Sequence, residues 1–294
     1  METSYILIAG GSGLIGRKLS EYLYERGYQV GVLTRTPKLE TDIYWDPNKK
    51  KIDFSVLEKV THLINLTGAS IGEKRWTEDR KKELLSSRVE PIQFLFEVSS
   101  NMPQLRHFIS ASGVSCYGFE DASKVYSEES PFGTDFLSQI VQQWEHSADL
   151  FSSKCKVSKL RISPVIDNDG GFLLKMKQPI HFGMGAVIGS GEQWIPWIYW
   201  KDLVKMVEFI LKNSLEGVFN AVANNTTNKE FTTVLAHAMH RKIFLPAIPP
   251  FMMRLLLGEQ ATLVLDGVKI SNDKICSSGF KFSYTDLNTV LEKL

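Results

Sequence analysis

The sequence predicts an α/β protein built on a doubly wound parallel sheet, with a smaller α/β lobe toward its carboxyl end. Three observations predict it. An apolar run passes through a glycine-rich turn into an amphipathic helix at Ile6-Leu7-Ile8-Ala9-Gly10-Gly11-Ser12-Gly13-Leu14-Ile15-Gly16. Short apolar runs then alternate with helical periodicity, the signature of βαβ units. After about residue 165 the pattern turns irregular and rich in glycine, proline and tryptophan. Residues 1–165 are therefore assigned to the sheet domain and 166–294 to a mixed, substrate-side lobe, with parts of 194–225 returning to the sheet.

Tyr5–Ala9 has the uninterrupted apolar character of a strand buried on both faces. Ile15, Leu19, Tyr22 and Leu23 recur at helical spacing over residues 14–26, and Gly27 supplies the stop. Gln29–Thr34 is a second strand, and the right-handed crossover between the two makes them parallel. Tyr44 and Trp45 precede an Asp46-Pro47-Asn48 turn, which suggests a short strand. Residues 62–67 form another strand, ending at Gly68. Thr77, followed by Glu78 and Asp79, caps a helix that Pro91 interrupts or restarts. Further strands are predicted at 106–111 and 157–162, separated by a helix carrying Phe136, Ile140, Trp144, Ala148 and Phe151 on one face. Beyond them, helices at 202–211 and 228–240 flank a strand at 218–222, and Thr227 caps the second helix. Trp194, Trp197, Tyr199, Trp200 and Phe251 suggest an apolar pocket wall, or else core aromatics.

Composition narrows the function classes. A chain of 294 residues with 43% hydrophobic and 23% charged residues can bury a core without metal or disulfide support. A formal charge of +1 argues against nucleic-acid binding by overall basicity. The odd, scattered Cys116, Cys155 and Cys276 favour a reducing compartment, and no signal-like amino terminus is present, so a cytoplasmic location is expected. Prolines and Arg254 divide the apolar stretch 244–257, leaving it short of a membrane span, and no membrane partner is expected. The six histidines form no metal motif, and neither a Gly-x-Ser-x-Gly nor a Gly-Lys-Ser/Thr phosphate motif occurs.

Gly10, Gly13 and Gly16 sit where strand gives way to helix, so the backbone can approach a pyrophosphate and the first helical N–H groups can face it. Gly11, Ser12, Leu14 and Ile15 complete that turn, with Ser12 suited to a phosphate hydrogen bond. At the end of the second strand, Thr34-Arg35-Thr36 stands where a ribose-binding Asp or Glu is expected. The Arg35 fork suits a 2′-phosphate and its plane suits adenine, which favours NADP over NAD; an ordinary surface arginine is the alternative. Leu66, Thr67, Gly68 and Ala69 lie at the carboxyl edge of a parallel strand and are cofactor-contact candidates, with Arg88 approaching from the following helix.

Taken together, these features resemble the extended short-chain dehydrogenase/reductase superfamily, and more closely its atypical epimerase-like branch with a distinctive carboxyl-terminal domain, within the NAD(P)-dependent epimerase/dehydratase superfamily. The resemblance runs through nearly the whole chain. It rests on the glycine turn, Asn65-Leu66-Thr67-Gly68-Ala69, Arg75-Trp76-Thr77, Ser87-Arg88, Ser110-Ala111-Ser112, Asp135-Phe136-Leu137 and Trp144-Glu145. Gly189-Ser190-Gly191, Trp197-Ile198, Asp202-Leu203, Asn228-Lys229-Glu230-Phe231 and Leu256-Leu257-Gly258-Glu259 extend it.

The resemblance implies a Rossmann-type fold and a serine working with a Tyr-x-x-x-Lys pair. Here the matching helix reads Phe136-Leu137-Ser138-Gln139-Ile140, which removes both the phenol and the ammonium. Packing suits Phe136 and Ile140, one helical turn apart. Ser112, with Ser110 and Ser115 as neighbouring alternatives, resembles the superfamily serine and Tyr117 the tyrosine of its Tyr-Gly pair, making Ser112 and Tyr117 the catalytic candidates, and Tyr199 stands where the family often has His. Three functions follow as expectations: an NADP-binding epimerase-like oxidoreductase acting on a small polar organic substrate, a catalytically inactive NADP sensor or interaction module, or a nucleotide-sugar epimerase. The exposed helices of such a fold also suit a homodimer.

Overall fold

The computed structural model describes residues 4–119 and 121–293. From the amino end the order is β1 (Tyr5–Ala9), α1 (Leu14–Glu25), β2 (Gln29–Thr34), β3 (Asp42–Asp46), β4 (Lys51–Ile52), β5 (Val60–Asn65), α2 (Glu78–Val98), β6 (His107–Gly113), β7 (Val125–Tyr126), α3 (Phe136–Asp149) and β8 (Lys156–Ile162). Then follow β9 (Val165–Ile166), α4 (Gly171–His181), β10 (Trp194–Tyr199), α5 (Trp200–Asn213), β11 (Gly217–Ala221), β12 (Asn224–Thr227) and α6 (Asn228–Ala238). The chain ends in short pieces: α7 (Pro250–Leu257), α8 (Thr262–Leu265), β13 (Lys269–Ile270), α9 (Asp273–Ser277) and α10 (Leu287–Glu292).

Eight strands form the main sheet in the order β11-β8-β6-β5-β1-β2-β3-β4. All neighbours are parallel except β3 and β4, which pair antiparallel at the edge. The chain winds outward from β1 in both directions, so the order reverses between β1 and β5. Alternation along β1 explains the two-sided core: Ile6 and Ile8 face the layer of α1 and α5, while Leu7 and Ala9 face the layer of α2 and α3. The return of β11 to the sheet beside β8 brings part of the later chain back to the first half.

Local chemistry sets the helix ends. Gly27 takes φ +83° and closes α1, its N–H donating to the Tyr24 carbonyl at 2.9 Å. Thr77 Oγ1 accepts from the Arg80 N–H and Thr227 Oγ1 from the Glu230 N–H, each at 3.2 Å, as their positions predict. Pro91 does not interrupt α2, which continues to Val98. Its missing N–H and ring clash cost about 3 kcal/mol in a helix interior, and burial of Ile92, Phe94, Leu95 and Val98 beyond it offsets that cost.

The aromatic run does not build a pocket wall. Trp197 and Tyr199 alternate into the core of β10, Trp194 lies under Lys269, Trp200 lies under Lys18, and Phe251 is exposed on α7. The period of two along β10 puts Trp197 and Tyr199 on one face and Trp194 on the other, while Trp200 and Phe251 belong to helices, which a count of aromatics does not reveal.

Candidate functional site

The crevice forms where the sheet order reverses. The β1 turn and the segment after β5 meet there backbone to backbone: a Cβ on Gly10, whose φ is +79°, would lie 2.7 Å from the Leu66 carbonyl carbon. At Gly16 a Cβ would lie 2.3 Å from the Gly10 oxygen, so this glycine is what allows α1 to start flush against the turn. Gly11 is held by Val32 of the neighbouring strand. The outer side of the turn is open, with Ser12 and Gly13 exposed and Leu14 and Ile15 half-buried. Gly13 caps α1 without any side-chain hydrogen bond, and the first turn holds no acid. Positive helix-end potential is thus left uncancelled at the crevice, and the residues fit an anionic diphosphate.

Thr34 ends β2 buried, and the next residue, Arg35, is exposed at the same edge. Asn65, fully buried at the end of β5, accepts the Thr67 hydroxyl at 2.7 Å and orders the segment running through Leu66, Thr67, Gly68 and Ala69. Arg88 lies beneath that segment. Its guanidinium donates to the carbonyls of Ala69 at 2.9 Å and Leu84 at 2.7 Å and rests over the Trp144 ring. Burial, with the Arg80 cation nearby, pulls Arg88 down to about 10. In this arrangement Arg88 braces the crevice wall from behind, and its Nε has no hydrogen-bond partner.

Ser112 and Tyr117 are sealed into a buried network. Ser112 Oγ donates to Glu145 Oε1 at 2.6 Å, and Arg161 grips the same carboxylate with Nε at 2.8 Å and Nη2 at 3.0 Å. Arg161 Nη1 also donates to the Tyr117 hydroxyl at 3.0 Å, which in turn donates to Asn220 Oδ1 at 2.6 Å. Ser112 is 4% exposed and Tyr117 1%. Burial pushes the Tyr117 phenol above its ordinary value despite the adjacent guanidinium. For Arg161, burial pulls downward, yet the Glu145 carboxylate holds it above the usual arginine range. Both hydroxyls have their bonds committed to residues of β8, α3 and β11. Glu145, Arg161 and Asn220 were not among the sequence candidates.

Phe136 opens α3, with Asp135 capping the helix by accepting from the Leu137 and Ser138 N–H groups. Its ring meets Trp76 edge to face at 5.4 Å and carries Lys81 Nζ at 5.3 Å; Ile140 is buried. Lys81 is also bound to Glu259 at 2.7 Å, and the Gln260 amide donates to the carbonyls of Ile71 and Lys74. Through these bonds the segment after α7 docks beside the starts of α2 and α3. A cleft of about 300 Å³ lies there, lined by Arg254, Gly258, Glu259, Ala261, Thr262, Leu265 and Asp266. Burial raises the Asp266 carboxyl, Arg254 counteracts it, and Asp135 raises it further. Asp266 is a lone acid after an apolar run, and nothing in the sequence marks it.

This architecture has relatives. The model of the NAD dependent epimerase/dehydratase family matches residues 6–222, and that of a domain of unknown function, DUF1731, matches residues 248–294. The chain belongs to the NAD-dependent epimerase/dehydratase family. An epimerase family protein of Staphylococcus haemolyticus is 35% identical over 302 residues, covering 98% of each chain. The crystal structure of human epimerase family protein SDR39U1 (isoform 2) with NADPH superposes with a TM-score of 0.90 at 32% identity, covering 98% of each chain. A nucleoside-diphosphate sugar epimerase from Corynebacterium glutamicum gives a TM-score of 0.80 at 25% identity, with 98% of this chain covered and 57% of that one. Within this epimerase/dehydratase family member, the cleft holding Asp266 is built by the DUF1731 segment, and the glycine crevice by the epimerase segment.

Proposed function

We propose that this chain binds NADP in the crevice between β1 and β5 and is an epimerase-like oxidoreductase for a small polar organic substrate. One observation carries the reading: an uncapped, acid-free helix start at the sheet's switch point, with Arg35 exposed where β2 ends at the same edge. The human relative solved with NADPH supports it. In this reading the backbone of Gly10, Gly11, Ser12, Gly13, Leu14, Ile15 and Gly16 holds the diphosphate. Thr34 and Arg35 meet the 2′-phosphate, and Leu66, Thr67, Gly68 and Ala69 line the opposite wall, with Arg88 keeping that wall in place. The bound dinucleotide supplies hydride chemistry; the protein's own task is to place the substrate and move a proton. Ser112 and Tyr117 act as positioning residues, because their hydroxyls are committed and the phenol is held protonated. Asp266, whose carboxyl is raised above its ordinary value by burial, lines the cleft of the DUF1731 segment and is the candidate acid outside the network of Ser112 and Tyr117.

The test measures NADPH and NADH affinity by quenching of protein fluorescence, on the native chain and on Arg35→Ala. Native preference for NADPH and a selective loss of about 10–100-fold in the variant support the reading, the loss being that of a charge-assisted contact of about 1.5–3 kcal/mol. Equal native affinities, or an equal loss for both nucleotides, rejects it.

A second reading, an NADP sensor without turnover, is favoured by the apolar Phe136 and Ile140 together with the sealed hydroxyls. Deuteride transfer from labelled NADPH to any member of a carbonyl panel excludes it. Isomerisation of a nucleotide sugar with no net NADPH change would instead assign epimerase activity.

A further inference from the structure

The carboxyl-terminal lobe exposes apolar side chains that no part of the described chain covers. Phe244 is 82% exposed, Phe251 68%, Leu255 77% and Leu256 66%. Phe251, Met252, Leu255 and Leu256 recur one turn apart on α7 and share its outer side, while Met253 points inward and is buried. The four on α7 together expose on the order of 450 Å² of largely apolar surface, a patch of the size that often serves a function in soluble proteins, and exposed Phe244 and Leu245 precede it in the chain.

Charge selects the occupant. Between residues 241 and 258 the cations are Arg241, Lys242 and Arg254, all exposed, and the acids that follow are already matched, Glu259 by Lys81 at 2.7 Å and Asp266 by Arg254. The neighbouring segment repeats the pattern. It is joined by the Ile188–Ile248 bridge and carries exposed Phe182, Met184 and Lys175, with no acid from residue 170 to 191. A second copy of this face would set cations against cations, whereas a surface of anionic phosphates and acyl chains complements both the charge and the apolarity.

We infer that this face docks reversibly on an anionic lipid bilayer, with α7 lying in the plane of the surface, Phe251 and Leu255 in the headgroup–acyl boundary and Arg241 and Lys242 on lipid phosphates. The sequence expectation of no membrane partner rests on the absence of a spanning stretch; no described helix is long and apolar enough to cross a membrane, and surface docking, which departs from that expectation, requires none. Combined apolar and basic contacts of this size give exchangeable attachment, tuned by salt and lipid charge.

The test is co-sedimentation of the full chain with vesicles of phosphatidylcholine alone or mixed with phosphatidylglycerol, alongside analytical ultracentrifugation without lipid. Binding is expected only to the mixed vesicles and is weakened by salt. It should fall about tenfold or more in Phe251→Asp/Leu255→Asp and in Arg241→Gln/Lys242→Gln. Tyr24→Asp, which removes an exposed ring on α1, should bind as the native chain does. Because all these positions are exposed, unchanged circular dichroism and melting confirm the fold of each variant. Equal binding to both vesicle types, binding that survives either double substitution, or binding to neither overturns the inference. So does lipid-free self-association that Phe251→Asp/Leu255→Asp abolishes, which would identify a second copy as the occupant.

Discussion

Replacing Glu145 by Gln probes the centre of the buried network. Glu145 and Arg161 form a two-pronged pair, with side chains 5% and 4% exposed, so solvent screens little of their attraction. Glutamine keeps the shape but leaves a buried guanidinium without its counter-charge, and loss of one partner of such a pair costs about 3–5 kcal/mol. An amide oxygen at the Oε1 position still accepts two of the three donors, Ser112 Oγ and Arg161 Nε, which places Glu145→Gln near the lower end, about 3 kcal/mol. Arg161→Met strands the carboxylate and loses a similar amount. The double variant carries neither orphaned charge, so it should lose about as much as either single one, giving a coupling on the order of 3 kcal/mol. Urea unfolding at neutral pH, followed by circular dichroism, measures all four proteins. Additive losses, or a single-variant loss under about 1 kcal/mol, would show that the pair is a bystander and that Ser112 and Tyr117 are free to serve chemistry.

Four further outcomes follow. His107, buried against Ser158 and depressed to about 4 by burial with help from His62 and Lys156, lies below its unfolded value of 6.5. Its contribution is complete above 6.5 and is lost as pH falls toward 4, so stability should drop by about 2 kcal/mol between pH 8 and pH 5, a slope that His107→Asn removes in pH-dependent urea titrations. Gly16→Ala should abolish NADPH binding and lower the melting point sharply, because its methyl meets backbone at 2.3 Å. Gly27→Ala, with open space around it but φ +83°, should cost only about 1–2 kcal/mol and leave NADPH binding intact by fluorescence titration. With any carbonyl that the native chain reduces, Asp266→Asn should lower kcat/KM by about 10²–10³-fold and flatten its pH profile while NADPH affinity is unchanged; native kinetics in the variant would remove Asp266 from the proton step.

How much of this was legible in the sequence depends on the range of the determining contacts. β1 and β2 match their apolar runs residue for residue, and α1 ends one residue before the expected limit, because periodicity and a left-handed glycine act within a single turn. The strand expected at 62–67 lies at Val60–Asn65, since the end of β5 is set by pairing with β1 and β6 and not by its own apolar boundary. The carboxyl-terminal helices α7 to α10 run four to eight residues. Helices that short are marginal alone and owe their form to the surfaces they meet, so little local signal exists to find them. The family motifs pointed to Ser112 and Tyr117. Their partners Glu145 and Asn220 lie 33 and 103 residues further along the chain, distances at which no spacing rule operates.

The same network bears on how the two halves of the site relate. A serine and a tyrosine that the resemblance associates with proton transfer are here bonded to a carboxylate on α3, a guanidinium on β8 and an amide on β11. Those elements meet at the carboxyl ends of the parallel strands, where a doubly wound sheet presents ligands. A hydroxyl that must exchange a proton needs a partner it can release, whereas one held between Arg161 and Asn220 is stabilised by remaining where it is. The network therefore fixes the geometry of the strand ends, and Ser112 or Tyr117 enters a proton step only where substrate draws its hydroxyl away from Glu145 or Asn220. The exposed Lys81–Glu259 contact and the Gln260 bonds tie the DUF1731 segment to that rim. Asp266 comes with that segment, so Asp266→Asn also tests whether the carboxyl-terminal addition contributes chemistry to the site.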